Sequence, residues 1–426
     1  MKTLITQIWN RRRSNLWLII ELTLVFALVW FMTDYFFVLK YNLSIPNCRN
    51  IDNAWQITVG EYPEQAPEYR PEEATATARL ENHRRILDRL KNYPGVEAVV
   101  STNYWSLPGS SGVSASGFLN PSDTLKIIYP RMITFDATGD YFRVFGHTTD
   151  LGSSQASVRN YDLGGAHPII ICRSVAKALK ATVGQTLWKG NSNSAGEWRI
   201  VGIIDDTKRF DYRRPDFTVY FPENLDTSNI SNAEIAVRLT SSAPAFIDAF
   251  RKEMQDNFRF GNYYFKKMTS MKAFAQEVNA TYGLPNDIRL RIFLMIFLLV
   301  NILLCVTGTF WYRVNKRREE TGIRKALGAS QLAIRRQFIL EGLILLLIAA
   351  IPAMLIEANL FNAGLIETMG REELLPETYL PDRPLARFII VNIISLSAMA
   401  AVVAIAIWLP ARSAASMQAA DALRYE

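Results

Sequence analysis

Apolar residues in this chain gather into four long blocks, and elsewhere they recur among polar residues at helical or strand spacing. The blocks run from about Leu16 to Val38, Ile292 to Tyr312, Ile334 to Ala358 and Phe388 to Leu409. Each supplies the roughly 20 helical residues that a bilayer core of about 30 Å requires. The first exceeds the ~7–15 apolar residues of a secretion signal, and no small-x-small cleavage pattern follows it. The expected fold class is an α-helical membrane protein with four transmembrane helices and an α+β domain inserted between the first and second. The domains are then residues 1–39, 40–287 and 288–426.

The inserted region mixes two periodicities. From Pro71 to Lys91, Ala76, Leu80, Leu87 and Leu90 recur at helical spacing, so a helix is expected there. Val96 to Ser101, Trp198 to Ile204 and Ala233 to Leu239 read as strands. Ser174 to Leu179 and Ala243 to Asn257 read as helices. The alternation predicts small α+β units, divisible into two subdomains, rather than a sandwich. Thr102 to Asp123, rich in Ser and Gly, reads as a mobile loop.

Charge gives the blocks an orientation. The formal net charge is +7, and the basic residues cluster beside the apolar blocks. Lipid topology explains that placement, so no nucleic-acid partner is expected. Lys2, Arg11, Arg12 and Arg13 precede the first block. Loop 313–333 holds Arg313, Lys316, Arg317, Arg318, Arg324 and Lys325, whereas loop 359–386 carries Glu367, Glu372, Glu373, Glu377 and Asp382. By the positive-inside rule both termini and loop 313–333 are cytoplasmic, and residues 40–287 and 359–386 are outside.

The usual catalytic signatures are missing. The sequence has no GxxxxGK[ST], GxSxG, HExxH or kinase set. Three His and three Cys without a CxxC give a metal site little support, so no metal or cofactor is assigned to this chain. An oxidising compartment would allow Cys48 and Cys172 to pair, although nothing in their spacing demands it.

The most informative segment is RREETGIRKALGAS, Arg317 to Ser330. Glu319 and Glu320 open a stretch that Lys325 closes, an order that complements a helix dipole. Ile323, Ala326 and Leu327 share one face. Gly328 fits a helix stop and Ser330 an N-cap for the next helix. Chemistry alone leaves two readings: a docking surface for a cytoplasmic partner, or a solvated basic loop that only sets topology.

REETGIRKALGAS resembles the coupling segment of the MacB/FtsX-type ABC-transporter permeases, with Thr321 departing from that family's usual aliphatic residue. The tail PARSAASMQAADALRYE resembles the family's closing motif at Pro410, Ala411, Ala414, Ala422, Leu423 and Arg424, with Ala419 replacing a second proline. YPGVEAVV, FDATGDYFRVFG and PIIICRSVAKAL resemble the family's periplasmic core domain. The resemblance implies a non-catalytic permease subunit of a bacterial inner membrane. It implies a separate ABC ATPase that binds ATP and Mg, a second permease copy or related permease, and a periplasmic adaptor as a further candidate partner. The segment Glu319, Glu320, Thr321, Gly322, Ile323, Arg324, Lys325, Ala326, Leu327, Gly328 and Ala329 would dock on the ATPase. Glu319, Glu320, Arg324 and Lys325 would make polar contacts, and Ile323, Ala326 and Leu327 would fill an apolar groove. The implied work is efflux or export of a peptide, antimicrobial or lipoprotein. The alternatives are lipoprotein release and FtsX-like regulation of cell-wall hydrolases.

Carboxylates inside the apolar blocks are functional candidates, because they are costly there. Glu21 and Glu341 are expected to reach arginines near the cytoplasmic face, with a proton path as the alternative. Asp34 and Glu357 read as interfacial. Trp17, Trp30, Tyr35 and Trp408 fit an aromatic belt. Pro352 is a candidate kink in the third span. Trp105, Tyr141, Phe145 and Trp188 are expected in the core of the inserted domain.

Overall fold

The computed structural model describes residues 12–147, 167–190, 196–363 and 384–416. In chain order the elements are α1 (Arg12–Ser44), β1 (Ala54–Glu61), α2 (Ala76–Lys91), β2 (Val96–Thr102), β3 (Ser114–Ala115), β4 (Phe118–Asn120), β5 (Asp123–Ile128) and β6 (Arg131–Asp136). Next come α3 (Tyr141–Val144), β7 (His167–Cys172), α4 (Arg173–Leu179), β8 (Thr186–Lys189), β9 (Glu197–Ile204), β10 (Thr218–Glu223), β11 (Glu234–Leu239) and α5 (Pro244–Asn257). The chain continues through β12 (Arg259–Phe260), β13 (Tyr263–Ser270), α6 (Met271–Thr281), α7 (Leu284–Lys316), α8 (Arg318–Ala326), α9 (Gln331–Asn362) and α10 (Pro384–Ser416). Two compact units result, Met1–Asn42 with Gly283–Glu426, and Leu43–Tyr282.

The sheet unit holds one mixed sheet ordered β12-β13-β1-β11-β2-β6-β10-β7-β9-β8-β4-β5, with β3 paired to β6. Pairs β6/β10 and β7/β9 are parallel, and the remaining pairs are antiparallel. Hydrogen bonding runs from one edge of the sheet to the other, with β2 and β6 joined at the single pair Thr102–Phe135. Ile169, Ile170 and Ile171 are all fully buried, as suits a central strand covered on both faces. One core cluster joins Ile57, Val237 and Leu239 to Ile86 and Leu90 of α2 and Phe250 of α5. A second joins Ile171, Ile200 and Val219 to Val175 and Leu179 of α4.

Local chemistry explains where the helices start. The helix expected over Pro71–Lys91 is in two pieces, a 3-10 turn at Pro71–Ala74 and then α2. Thr75 separates them with extended backbone and caps α2 by accepting from Ala78 N at 3.2 Å. Of the aromatic core candidates, Tyr141 and Phe145 are buried, Trp188 is half-buried, and Trp105 is exposed. Cys48, Cys172 and Cys305 are all free thiols.

The segment Thr102 to Asp123 contains β3 and β4, and its irregular part is tied down. The buried Arg131 donates to Trp105 O at 3.1 Å, Leu107 O at 3.2 Å and Ser110 Oγ at 3.1 Å. Arg209 donates to Ser110 O at 3.0 Å and Gly112 O at 3.2 Å, and Tyr282 Oη donates to Ser111 O at 2.6 Å. These donors lie far along the chain, so a Ser- and Gly-rich composition could not reveal them.

The helical unit contains four helices long and apolar enough to cross a membrane. Its interior is packed with Leu22, Phe26, Val306, Phe310, Leu345, Ala349, Met399 and Val403. Phe293, Ile296, Leu304, Leu355 and Ile393 are exposed, an apolar surface suited to lipid. Two sequence expectations fail here. Trp30 and Tyr35 are not belt residues: Trp30 is buried with its ring 5.8 Å from Phe388, and Tyr35 is buried 4.0 Å beneath the Arg291 guanidinium. Helix α10 runs past Pro410 to Ser416 instead of ending in a free tail. Pro410 has no N–H to give to Ala406 O one turn back, and Thr307 Oγ1 of α7 donates to that carbonyl at 3.1 Å instead.

Two predictions test the sheet unit. Arg131→Met strips three hydrogen bonds from buried acceptors, each worth about 1.5–3 kcal/mol when the donor is charged. Cleavage between residues 105 and 112 in limited proteolysis is expected to accelerate at least tenfold, and an unchanged rate refutes the pinning. Burial also holds two histidines neutral. His83, 2.8 Å from Ser101 Oγ, is pushed down to about 4, and His147, packed between Tyr141, Phe142 and Tyr220, to about 3. Both lie below the ordinary value near 6.5, so the unfolded chain takes up these protons first. Stability is therefore lost as pH falls from about 6.5 toward 4, at a slope approaching about 2.7 kcal/mol per pH unit for two protons. Replacing His147 with Phe should halve that slope in denaturant melts of the full chain.

Candidate functional site

Helix α8 stands on a buried charge cluster. It is a nine-residue helix between α7 and α9, with Glu319 and Glu320 in its first turn and Arg324 and Lys325 in its last. Its C-terminus closes as a Schellman motif. Gly328 takes φ 93°, its N–H reaches Lys325 O at 2.9 Å, and Ala329 N reaches Arg324 O at 2.9 Å. Ser330 then caps α9, accepting from Ala333 N at 3.2 Å. With a stop at one residue and a start two later, the connection has little freedom.

The two faces of α8 differ. Thr321 and Gly322 are buried, with Thr321 Oγ1 donating to Arg317 O at 2.9 Å. Glu319, Ile323, Ala326, Leu327 and Gly328 are exposed, Leu327 at 83%. A leucine that open to water is disfavoured unless something covers it. Glu320 and Arg324, expected to face a partner, are engaged within the chain: they pair at 2.6 Å, and Arg324 also donates to Gln337. Lys325 and Ala329 are half-buried.

Beneath α8, Glu341 of α9 receives two guanidinium groups. Arg317, at the α7–α8 junction, donates to Oε2 at 2.7 Å and to Oε1 at 3.1 Å. Arg313, one turn earlier, donates to Oε1 at 3.2 Å and to Asn15 Oδ1 of α1 at 2.7 Å. All four residues are buried. The sequence placed Arg313 and Arg317 in the basic loop, but Arg313 lies in the last turn of α7 and Arg317 caps it, four residues apart and both buried. That spacing was the available signal. The expectation that Glu341 reaches arginine holds. Glu21 does not: its Oε2 lies 2.7 Å from Cys305 Sγ on α7.

Two further charged groups sit toward the opposite end of the unit. Asp34 of α1 and Arg387 of α10 form a two-point pair, with Nε to Oδ1 at 2.8 Å, and both are buried. Glu357 is fully buried. Pro410, Ala411 and Ala414 are buried packing residues of α10. Ala422, Leu423 and Arg424 lie outside the described residues, as do Lys2, Arg11 and the acidic residues of loop 359–386.

The sheet unit has clefts among its described residues. One cleft of about 500 Å³ is lined by Gln56, Arg79, His83, Glu234 and Tyr263. Burial pushes the Glu234 carboxyl up to about 7, and Arg79 is paired with Glu61 at 2.9 Å. Among the described residues no three His, Cys, Asp or Glu side chains gather closely enough to hold a metal.

Glu341→Gln would leave two buried guanidinium groups without their counter-charge. The expected cost is about 3–5 kcal/mol, read as a lower unfolding midpoint of the full chain in detergent. Glu319→Gln, on the exposed face, should leave the midpoint unchanged. Equal midpoints for both variants would contradict the network.

Comparison with known families agrees with this architecture. Residues 22–256 match the MacB-like periplasmic core domain, and residues 292–419 match the FtsX-like permease C-terminal domain. No curated protein matches the chain.

Proposed function

Starting from a chain that belongs to the MacB/FtsX-type ABC permeases, we propose that it is the membrane subunit of a transporter driven by a separate ATPase, with α8 as the docking element. The observation that carries this reading is the mounting of α8. Its exposed face presents Ile323, Ala326 and Leu327, and its buried face rests on Arg317, which grips Glu341. A push on α8 therefore acts on α7 and α9 together, and Arg313 passes it to α1 through Asn15.

In this reading α8 and both termini are cytoplasmic, and the sheet unit lies on the other side of the bacterial inner membrane. The basic loop 313–333 supports that orientation. The chain itself supplies no hydrolysis; ATP and Mg belong to the partner. The cargo is a peptide, an antimicrobial or a lipoprotein, met by the sheet unit rather than threaded through one copy of the helices. The apolar interior of the four helices supports this, since it offers polar cargo no path. A second permease copy or a related permease would complete the complex.

Ile323→Asp with Leu327→Asp puts charge where the reading needs apolar contact. Burying two such side chains is worth about 1.5–3 kcal/mol each, so ATPase affinity should fall at least 100-fold. The unfolding midpoint of the permease should not move, because neither side chain is packed within the chain. Undiminished co-purification with the ATPase would refute docking through α8.

A further inference from the structure

Glu357 is the one carboxylate in the four long helices whose burial the preceding account leaves unexplained. It is 0% exposed, and neither Oε1 nor Oε2 makes a hydrogen bond of good geometry. Asn392 of α10, itself buried, lies close enough to interact with the carboxyl. It gives an Nδ2 hydrogen to Phe388 O at 3.0 Å and leaves Oδ1 without a donor. Buried polar oxygens left unsatisfied on facing helices are uncommon in a packed interior.

The cation that could have neutralised Glu357 is already committed. Arg387 lies about one turn away on α10, but two of its nitrogens are given to Asp34. Arg291 of α7 pairs with Asp287 at 2.8 Å and covers Tyr35. A carboxylate here would be a buried charge without a counter-ion, which costs several kcal/mol. A carboxylic acid removes the charge and gains a donor, and the unpaired Asn392 Oδ1 is a ready acceptor.

We propose that Glu357, with Asn392, forms a proton-binding site between α9 and α10, occupied while these helices are packed as seen here. The ligand is a single proton, held as the Glu357 O–H and shared with the amide oxygen of Asn392. If α9 and α10 separate and water enters, the carboxyl gains hydration, the O–H bond breaks and the proton passes to water. The packing of the two helices is thereby linked to uptake and release of one proton. The site stands whether or not α8 docks an ATPase.

Infrared difference spectroscopy of the full chain in lipid tests this directly. At neutral pH the wild type should show carboxylic-acid carbonyl absorption that Glu357→Gln lowers by one group. Asn392→Leu should keep the band but shift it to the frequency of a less strongly hydrogen-bonded acid, because an acceptor is gone. Glu357→Gln is neutral and close to isosteric, so its unfolding midpoint should stay near that of the wild type. Identical wild-type and Glu357→Gln spectra in well-folded samples would overturn the proposal. So would a wild-type band abolished by sodium but not by choline salts, which would assign the oxygens to a metal cation.

Discussion

Glu341 lies where guanidinium groups from two successive turns of α7 converge on α9, and one of them also holds the amide of Asn15 on α1. Such an arrangement is not primarily a source of stability. Stripping water from three charges costs about as much as their attraction returns, and an apolar replacement of the same shape would often fold as well. What the charges do provide is an all-or-nothing geometry. A leucine at this position can slide against its neighbours at small cost. Glu341 cannot leave either arginine without leaving a bare charge behind. The three helices are thus bound to move together at this end. The same arginine that binds Glu341 also supplies the carbonyl that Thr321 of α8 holds.

The opposite end is built by the same logic with different parts. Asp34 and Arg387 tie α1 to α10. Between the two polar layers the interior is apolar, with Phe26, Phe310, Leu345 and Met399 in contact as one cluster. Apolar packing is dense but tolerant of small rotations, whereas the charged layers are not. A displacement entering at α8 is more easily carried as a rigid tilt of whole helices than as a local distortion. Thr307 strengthens this by satisfying the carbonyl that Pro410 leaves free, which removes the natural weak point of α10.

Much of this was legible before any coordinates. Four apolar blocks predicted four helices, because hydrocarbon leaves the backbone no other way to pair its own hydrogen bonds. Gly328 and Ser330 marked the end of α8 and the start of α9, because caps are local and need only neighbouring residues. Contacts between distant residues were not legible. Trp30 reads as a belt residue from its position in a span, yet it faces Phe388 more than 350 residues later. Ser- and Gly-rich residues 102–113 read as mobile, and their order comes from Arg131, Arg209 and Tyr282. Glu21 and Glu341 look alike in sequence. Only the face each presents to α7 decides that one meets a thiol and the other two arginines. The parallel pairs β6/β10 and β7/β9 were hidden for the same reason, since they join strands that are not consecutive in the chain.

The carboxylates of the helical unit also show that burial alone does not define a role. Asp34 and Glu341 are buried with full partners, and each acts as a fixed joint. Glu21 is half-exposed and shares a proton-bearing thiol. Glu357 has no charged partner, and so its energy depends most on what surrounds it. A fixed joint resists motion equally in every state. A group whose charge is intolerable in one packing and acceptable in another favours one state over the other, by an amount set by the available protons. If the helices do tilt as units, the joints define which parts move and Glu357 biases how far. The two kinds of acid are therefore complementary, and their separation to opposite ends of α9 places the bias far from the surface where α8, in the proposed reading, would receive its push.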